Sequence, residues 1–380
     1  MKVVRPSGYP ARFNTPRPER SRHCISTRKW LPLHKVWQPL EVALIMSSRG
    51  SDLIASFNRI PLGDTPFVIS FESHLPRLFT YERSAAFRYF TKKLASDRCR
   101  AIIPISDYAR RTFMKQQADI GELQTLEKKL VSSFYPAVDV PRKVMPDDPV
   151  RFDANRPLRV FFVGNHFSRK GGPALLLAAK EAARRNLPVE FHIVSQLTVG
   201  GENGVWTDPT DPAFFDRYLG LMTLPNIIHH GSLPNSEVIS LLQSCDVSLL
   251  PTLSDTFGYS VIESLACGVP VIATEICALP ELVVEGKTGH LLHLETDDLG
   301  EWTHLFSMKR DRKQYARILT DTFATLSEQI IERLTALIDA PLALREMKLA
   351  AHDDALSRFD ARTQSSRLDD LYDSVAVNPR

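Results

Sequence analysis

Short apolar runs alternate with longer amphipathic stretches along most of this chain. Runs at 52–57, 67–71, 101–104 and 130–134 are short enough for buried strands, and residues 84–96 and 107–117 between them carry helical spacing. A second series follows. Strands are expected at 159–164, 190–194, 226–229, 247–251, 269–273 and 290–293, with helices near 173–185, 234–243, 259–266 and 279–284. The last 80 residues are mostly helical, with three-and-four apolar spacing over 342–359 and 361–375. Strands alternating with helices imply parallel sheets. Before about residue 42 six prolines interrupt the chain, and little regular structure is expected there.

Pro141, Pro146, Pro149 and Pro157, with three aspartates, mark the clearest boundary. The resulting division is a basic, largely irregular arm (1–41), a first Rossmann-like domain (42–140), a linker (141–157), a second domain (158–340) and C-terminal helices (341–380).

At 380 residues, with 43% hydrophobic and 24% charged positions, the chain can bury two ordinary cores. Its five cysteines are odd in number and form no CxxC, so reduced thiols in a cytoplasmic protein are the simplest account. No apolar run reaches the roughly 18 residues a membrane span needs, and no signal-peptide core is visible. The net charge is only +3, but residues 1–40 hold nine of the 47 basic residues and one of the 44 acids. Such an arm is either solvated or a contact for anionic lipid headgroups, with Trp30 and Trp37 near the bases. Nucleic acid is the least favoured partner.

Two segments carry candidate chemistry. In FFVGNHFSRKGG (161–172) a strand ends at Gly164 and a helix begins near Gly172. Gly164, Gly171 and Gly172 allow close approach of a phosphate, and Lys170 and Arg169 supply charge. It is not a P-loop. Taken alone, these bases could equally be surface residues. In LPTLSDTFGYSVIESLACGVPVIAT (250–274) a strand, a loop and a helix follow one another, so backbone N–H groups at Phe257, Gly258, Tyr259, Ser260 and Val261 would face an anion. Asp255 and Glu263 could enter one cleft, or Asp255 could cap the helix while Glu263 lies on the surface.

These segments, with HHGSLPNSEV and ALPELVVEGKTGHLL in the same order, resemble the retaining GT-B glycosyltransferases of family 4 over about residues 159–292. RAIIPISDYARRTF (100–113) and RFDARTQSSRLDDLY near the C-terminus also resemble family segments. The resemblance implies two Rossmann-like domains with parallel sheets facing a central cleft, plus C-terminal helices, the last crossing back toward the first domain. It implies a nucleotide-diphosphate sugar donor (UDP-, GDP- or ADP-), a saccharide or lipid-linked saccharide acceptor, and no metal or other cofactor. In the family's Glu-x7-Glu pattern, Glu263 would hold the ribose and Asp255 would stand near the transferred sugar. Lys170 would bind phosphate, and Asn165 stands where the family has an arginine. At the end of the 67–71 strand, Glu72 falls on the family's histidine position and His74 two residues beyond; either is a candidate contact for sugar or acceptor. The glycine-rich loop that the family carries after its first strand is not recognisable. Asp255 and Asn165 leave a second reading open: a weak or inactive nucleotide-sugar-binding protein on the same fold.

Overall fold

Two parallel sheets organise the chain, one in each of two units: Met1–Asp139 with Ser357–Arg380, and Val140–Leu356. The computed structural model describes residues 1–8, 12–35, 38–79, 81–141, 151–200, 213–305 and 311–376.

The first unit contains β1 (Lys2–Pro6), β2 (Cys24–Arg28), β3 (Ala43–Leu44), β4 (Leu53–Phe57), β5 (Ile60–Pro61), β6 (Phe67–Phe71), α1 (Ala85–Ala95), β7 (Cys99–Pro104), α2 (Asp107–Gln117) and α3 (Leu123–Lys129). Its main sheet runs β2-β1-β4-β6-β7, all parallel, and β3 and β5 form a separate pair. β4 and β6 are buried at every residue because both sheet faces are covered. On one face Ile54, Phe67, Ile69 and Phe71 meet Phe87 and Leu94 of α1 and Phe113 of α2. The serines before α1 and α2, Ser84 and Ser106, accept from the N–H groups of Phe87 and Ala109 and so cap both helices.

The start of the chain departs from expectation. Instead of an irregular arm, β1 lies inside the sheet with Val3 and Val4 fully buried, and the first domain begins at residue 1 rather than 42. Its bases are largely committed within the unit. Arg17 and Arg20 lie 3.5 and 3.3 Å from Asp139, and Arg22 pairs with Asp370 and Asp373 at 2.6 and 2.9 Å. Arg28 donates to the carbonyls of Ser47 and Arg49. The run 130–134 is also not a strand: only Leu130 bridges Ile102. Most of the expected linker, residues 142–150, lies outside the described residues.

The second unit contains β8 (Leu158–Val163), α4 (Gly172–Arg184), β9 (Val189–Val194), α5 (Asp216–Leu219), β10 (Ile227–Gly231), α6 (Asn235–Gln243), β11 (Val247–Leu250), α7 (Tyr259–Ala266), β12 (Val271–Thr274), α8 (Leu279–Leu282), β13 (Gly289–Leu292), the long α9 (Arg312–Asp339) and nearly all of α10 (Pro341–Arg358). The sheet order is β10-β9-β8-β11-β12-β13, all parallel. Numbered within the unit this is 3-2-1-4-5-6, the doubly wound order of dinucleotide-binding sheets. The order reverses between β8 and β11, and ligands of such sheets bind outside the carboxyl ends of the strands at that point.

Asp246, just before β11, ties this sheet to its surroundings. It accepts two hydrogen bonds from Arg156 (2.9 and 3.1 Å), one from Lys348 of α10 (2.9 Å) and one from the Arg159 N–H (3.0 Å). Burial works against the charged carboxyl, and Arg156, Lys348 and that N–H outweigh it, holding its pKa below the ordinary aspartate value.

The final helix, α11 (Ala361–Ala376), belongs to the first unit. Its Leu368 and Tyr372 complete the second face of that sheet against Val3, Leu53, Ala55, Val68, Ala101 and Ile103. Among the described residues no helix is long and apolar enough to cross a membrane.

Candidate donor-phosphate site

The loops after β8 and β11 meet at the switch point of the second sheet. Residues 164–171 form the first and 251–258 the second. They touch backbone to backbone. Gly171 has φ +83°, and a Cβ there would lie 1.8 Å from the Pro251 carbonyl oxygen, so only glycine fits. The Leu253 N–H donates to the Arg169 carbonyl at 2.8 Å, and the buried Thr252 Oγ1 donates to the same carbonyl at 3.1 Å. Gly164 is bare for a related reason: a Cβ there would come within 2.9 Å of Lys170 Cγ. The lysine stem therefore lies across the end of β8.

That stem delivers the Lys170 ammonium to the Asp255 carboxylate. The two form a hydrogen-bonded ion pair, with side chains only 16% and 15% exposed. The other carboxylate oxygen, Asp255 Oδ1, accepts the Gly258 N–H at 3.1 Å. Gly258 precedes α7 in a left-handed conformation (φ 88°), and a Cβ on it would strike Leu279 at 2.5 Å. Burial opposes the charged form of Asp255, but Lys170, Arg169 and the Gly258 N–H together hold its pKa below the ordinary value. Burial draws the Lys170 pKa below the ordinary lysine value as well.

The remaining candidates divide into groups. Arg169 turns its guanidinium to the Ser254 carbonyl, so it straps the second loop rather than standing free beside Lys170. Asn165 is exposed, and its Oδ1 accepts the Gln196 N–H at 3.3 Å. Phe257 and Val261 are buried and offer only backbone, and Tyr259 packs its ring 5.2 Å from Phe257. The N–H groups at 257–261 are not all directed outward: that of Gly258 serves Asp255, and that of Val261 donates to the Gly258 carbonyl at 2.9 Å. Ser260 and Glu263 are half-buried on α7, with Glu263 one turn in from its start.

Glu72 and His74 lie in the first unit, at the carboxyl end of β6. Glu72 is already engaged. It pairs with Arg77 at 2.6 Å and accepts Asn58 Nδ2 at 3.1 Å, and its N–H donates to Asn58 Oδ1. His74 packs edge-on against Phe79 at 5.2 Å, and burial lowers its pKa, which disfavours its charged form. Asn58 (φ 57°) and Arg77 were missed because each is defined by a neighbouring strand end rather than by a motif. Cys277 was missed too. It is buried in a left-handed backbone position (φ 51°). Nothing in the spacing of a lone cysteine signals that.

Known proteins resemble this chain. Residues 148–301 match the family described as Glycosyl transferases group 1. The D-inositol 3-phosphate glycosyltransferase of Corynebacterium aurimucosum is 29% identical over 134 residues, 35% of this chain and 31% of that protein. The MMP alpha-(1->4)-mannosyltransferase of Mycolicibacterium hassiacum is 30% identical over 152 residues, 40% of this chain and 34% of that protein. This chain thus aligns with about a third of the length of these curated relatives. Among solved structures, Anabaena Alr3699/HepE in complex with UDP-glucose superposes with a TM-score of 0.60 at 15% identity, over 98% of this chain and 100% of that one. Sucrose-phosphate synthase from Thermosynechococcus elongatus gives 0.53 at 15% identity, over 86% and 74%. Residues 148–301 are accordingly similar to the Glycosyl transferases group 1 family, and the two parallel sheets with their C-terminal helices have the fold of GT-B glycosyltransferases.

Proposed function

We propose that this chain is a retaining glycosyltransferase of family 4 that needs no metal. It moves a sugar from a nucleotide-diphosphate donor to an acceptor hydroxyl, in the synthesis of a surface polysaccharide or glycoconjugate. The observation that carries this reading is the meeting of Lys170 and the start of α7 at the switch point of the second sheet. An ammonium and a helix N-terminus suit a diphosphate. In the reaction, the bond from the sugar's anomeric carbon to the β-phosphate oxygen breaks and the acceptor oxygen bonds to that carbon on the same face. The acceptor's proton passes to the departing phosphate. Lys170 and the backbone N–H groups stabilise the charge that develops on the leaving group, the task a metal ion would otherwise perform. Glu263 is assigned to the ribose hydroxyls, and Glu72 or His74 to the sugar or the acceptor. The mannosyltransferase among the relatives favours a hexose as the transferred group.

The test is turnover of Lys170→Ala with UDP-, GDP- or ADP-sugars. A loss of about a hundredfold or more is expected when a donor to transition-state charge is removed. Near-normal turnover would remove Lys170 from the mechanism.

One observation favours a second reading. Position 165 carries an amide where the family pattern has an arginine, so the site has one cation fewer than that pattern implies. A nucleotide-sugar-binding protein without turnover would fit that. Calorimetry with nucleotide sugars, run beside an assay for released nucleotide, separates the two readings.

A further inference from the structure

Both groups that a diphosphate would require at this site are already occupied by an anion of the chain itself. One Asp255 oxygen takes the Lys170 ammonium and the other takes the Gly258 N–H. We infer that Asp255 is a placeholder for the donor's phosphate, so that a nucleoside diphosphate binds by displacing an internal carboxylate. This rests on the proposed assignment of the site.

Among the described residues, a single ammonium, Lys170, bonds the Asp255 carboxylate. Arg169 is held by the Ser254 carbonyl, and Asn165 brings an amide in place of a charge. His166, on the same loop, has its pKa lowered by burial and by Arg169 and Lys170, which disfavours its charged form. Arg169 adds its charge through space, and Lys170 is the cation in direct contact with the carboxylate. The reach of the side chain matters as well. An aspartate three residues before Gly258 can accept its N–H in the manner of a helix cap. A glutamate carries its carboxylate one methylene further from the backbone and fits that cap less well.

Two consequences follow for binding. A ligand must present enough negative charge to displace a carboxylate held by two donors, which selects diphosphates over neutral sugars. The returning carboxylate then competes with the nucleoside diphosphate product and promotes its release.

The experiment measures the affinity of UDP, GDP and ADP for the wild-type chain and for Asp255→Asn, Asp255→Ser, Lys170→Ala and Lys170→Ala/Asp255→Asn. Asp255→Asn keeps the shape without the charge, and Asp255→Ser retains a short acceptor for the Gly258 N–H should the amide disturb the loop. Both are expected to bind the preferred diphosphate about tenfold or more tightly than wild type, the scale of one charge-assisted hydrogen bond. Where turnover is measurable, both are also expected to show stronger inhibition by that product. The double variant should lose the gain, because the ammonium being freed is gone. Unchanged or weaker binding by both Asp255 variants, with Lys170→Ala still weakening it, would overturn the placeholder and leave the site assignment standing. Absence of diphosphate binding by wild type and every folded variant would overturn the two together.

Discussion

At the residue scale, the second unit depends on carboxylates held below their ordinary pKa. Asp246 is the structural case, 3% exposed and bonded to Arg156, Lys348 and the Arg159 N–H. Removing one partner of a buried pair strands the others. Asp246→Asn is expected to destabilise the second unit by about 3 kcal/mol or more in urea unfolding. The pH dependence has a definite sign. A carboxyl whose folded pKa lies below its unfolded value of about 3.9 stabilises the fold above that value, and the contribution disappears as pH falls through the folded pKa. Both Asp246 and Asp255 are depressed, so stability should drop as pH falls below about 4, and Asp246→Asn should show a shallower drop. A variant as acid-sensitive as wild type would show that Asp246 is not one of the responsible groups.

At the scale of elements, α11 is the piece of chain most distant in sequence from the sheet it covers. Tyr372 is 1% exposed, packs among residues of β1, β4, β6 and β7, and stacks on His23 at 5.9 Å. Asp369 accepts from Ser21 Oγ and the Arg22 N–H at 2.6 and 2.8 Å, and Ser365 Oγ accepts the Arg17 N–H at 3.0 Å. The stretch from 17 to 23 and this helix therefore stabilise one another. Tyr372→Ala is expected to cost the first unit about 3–5 kcal/mol, the usual range for truncating a buried aromatic. Calorimetry should show the first unit's transition falling while that of the second stays in place. Equal shifts of both would show that α11 does not serve the first unit alone.

At the scale of the whole molecule, two units with separate cores and separate sheets predict two thermal transitions. A ligand that binds only the native state raises the melting temperature of the unit that holds it. UDP, GDP or ADP should therefore raise the second unit's transition and leave the first where it is, with Lys170→Ala abolishing the rise. A rise confined to the first unit would relocate the nucleotide site.

The sequence by itself determined the second sheet and its two loops. Strands buried on both faces must be apolar along their length, so β8, β11 and β12 stand out as apolar runs, and glycine is required where backbone meets backbone at Gly171. The same patterning marked β4, β6, β7, α1 and α2 of the first unit, and the tertiary structure decided what remained. β1 offers only Val3 and Val4 as an apolar signal, and its place in the sheet follows from pairing with β2 and β4. The basic residues around it look like a solvated arm until their partners arrive from more than 100 positions away, Asp139 for Arg17 and Asp370 and Asp373 for Arg22. Lys170, Asp255 and Gly258 could each be marked as candidates from local pattern, but not the hydrogen bonds that unite them. Charge pairing and burial depend on distance in space, and the chain encodes that distance only through the fold.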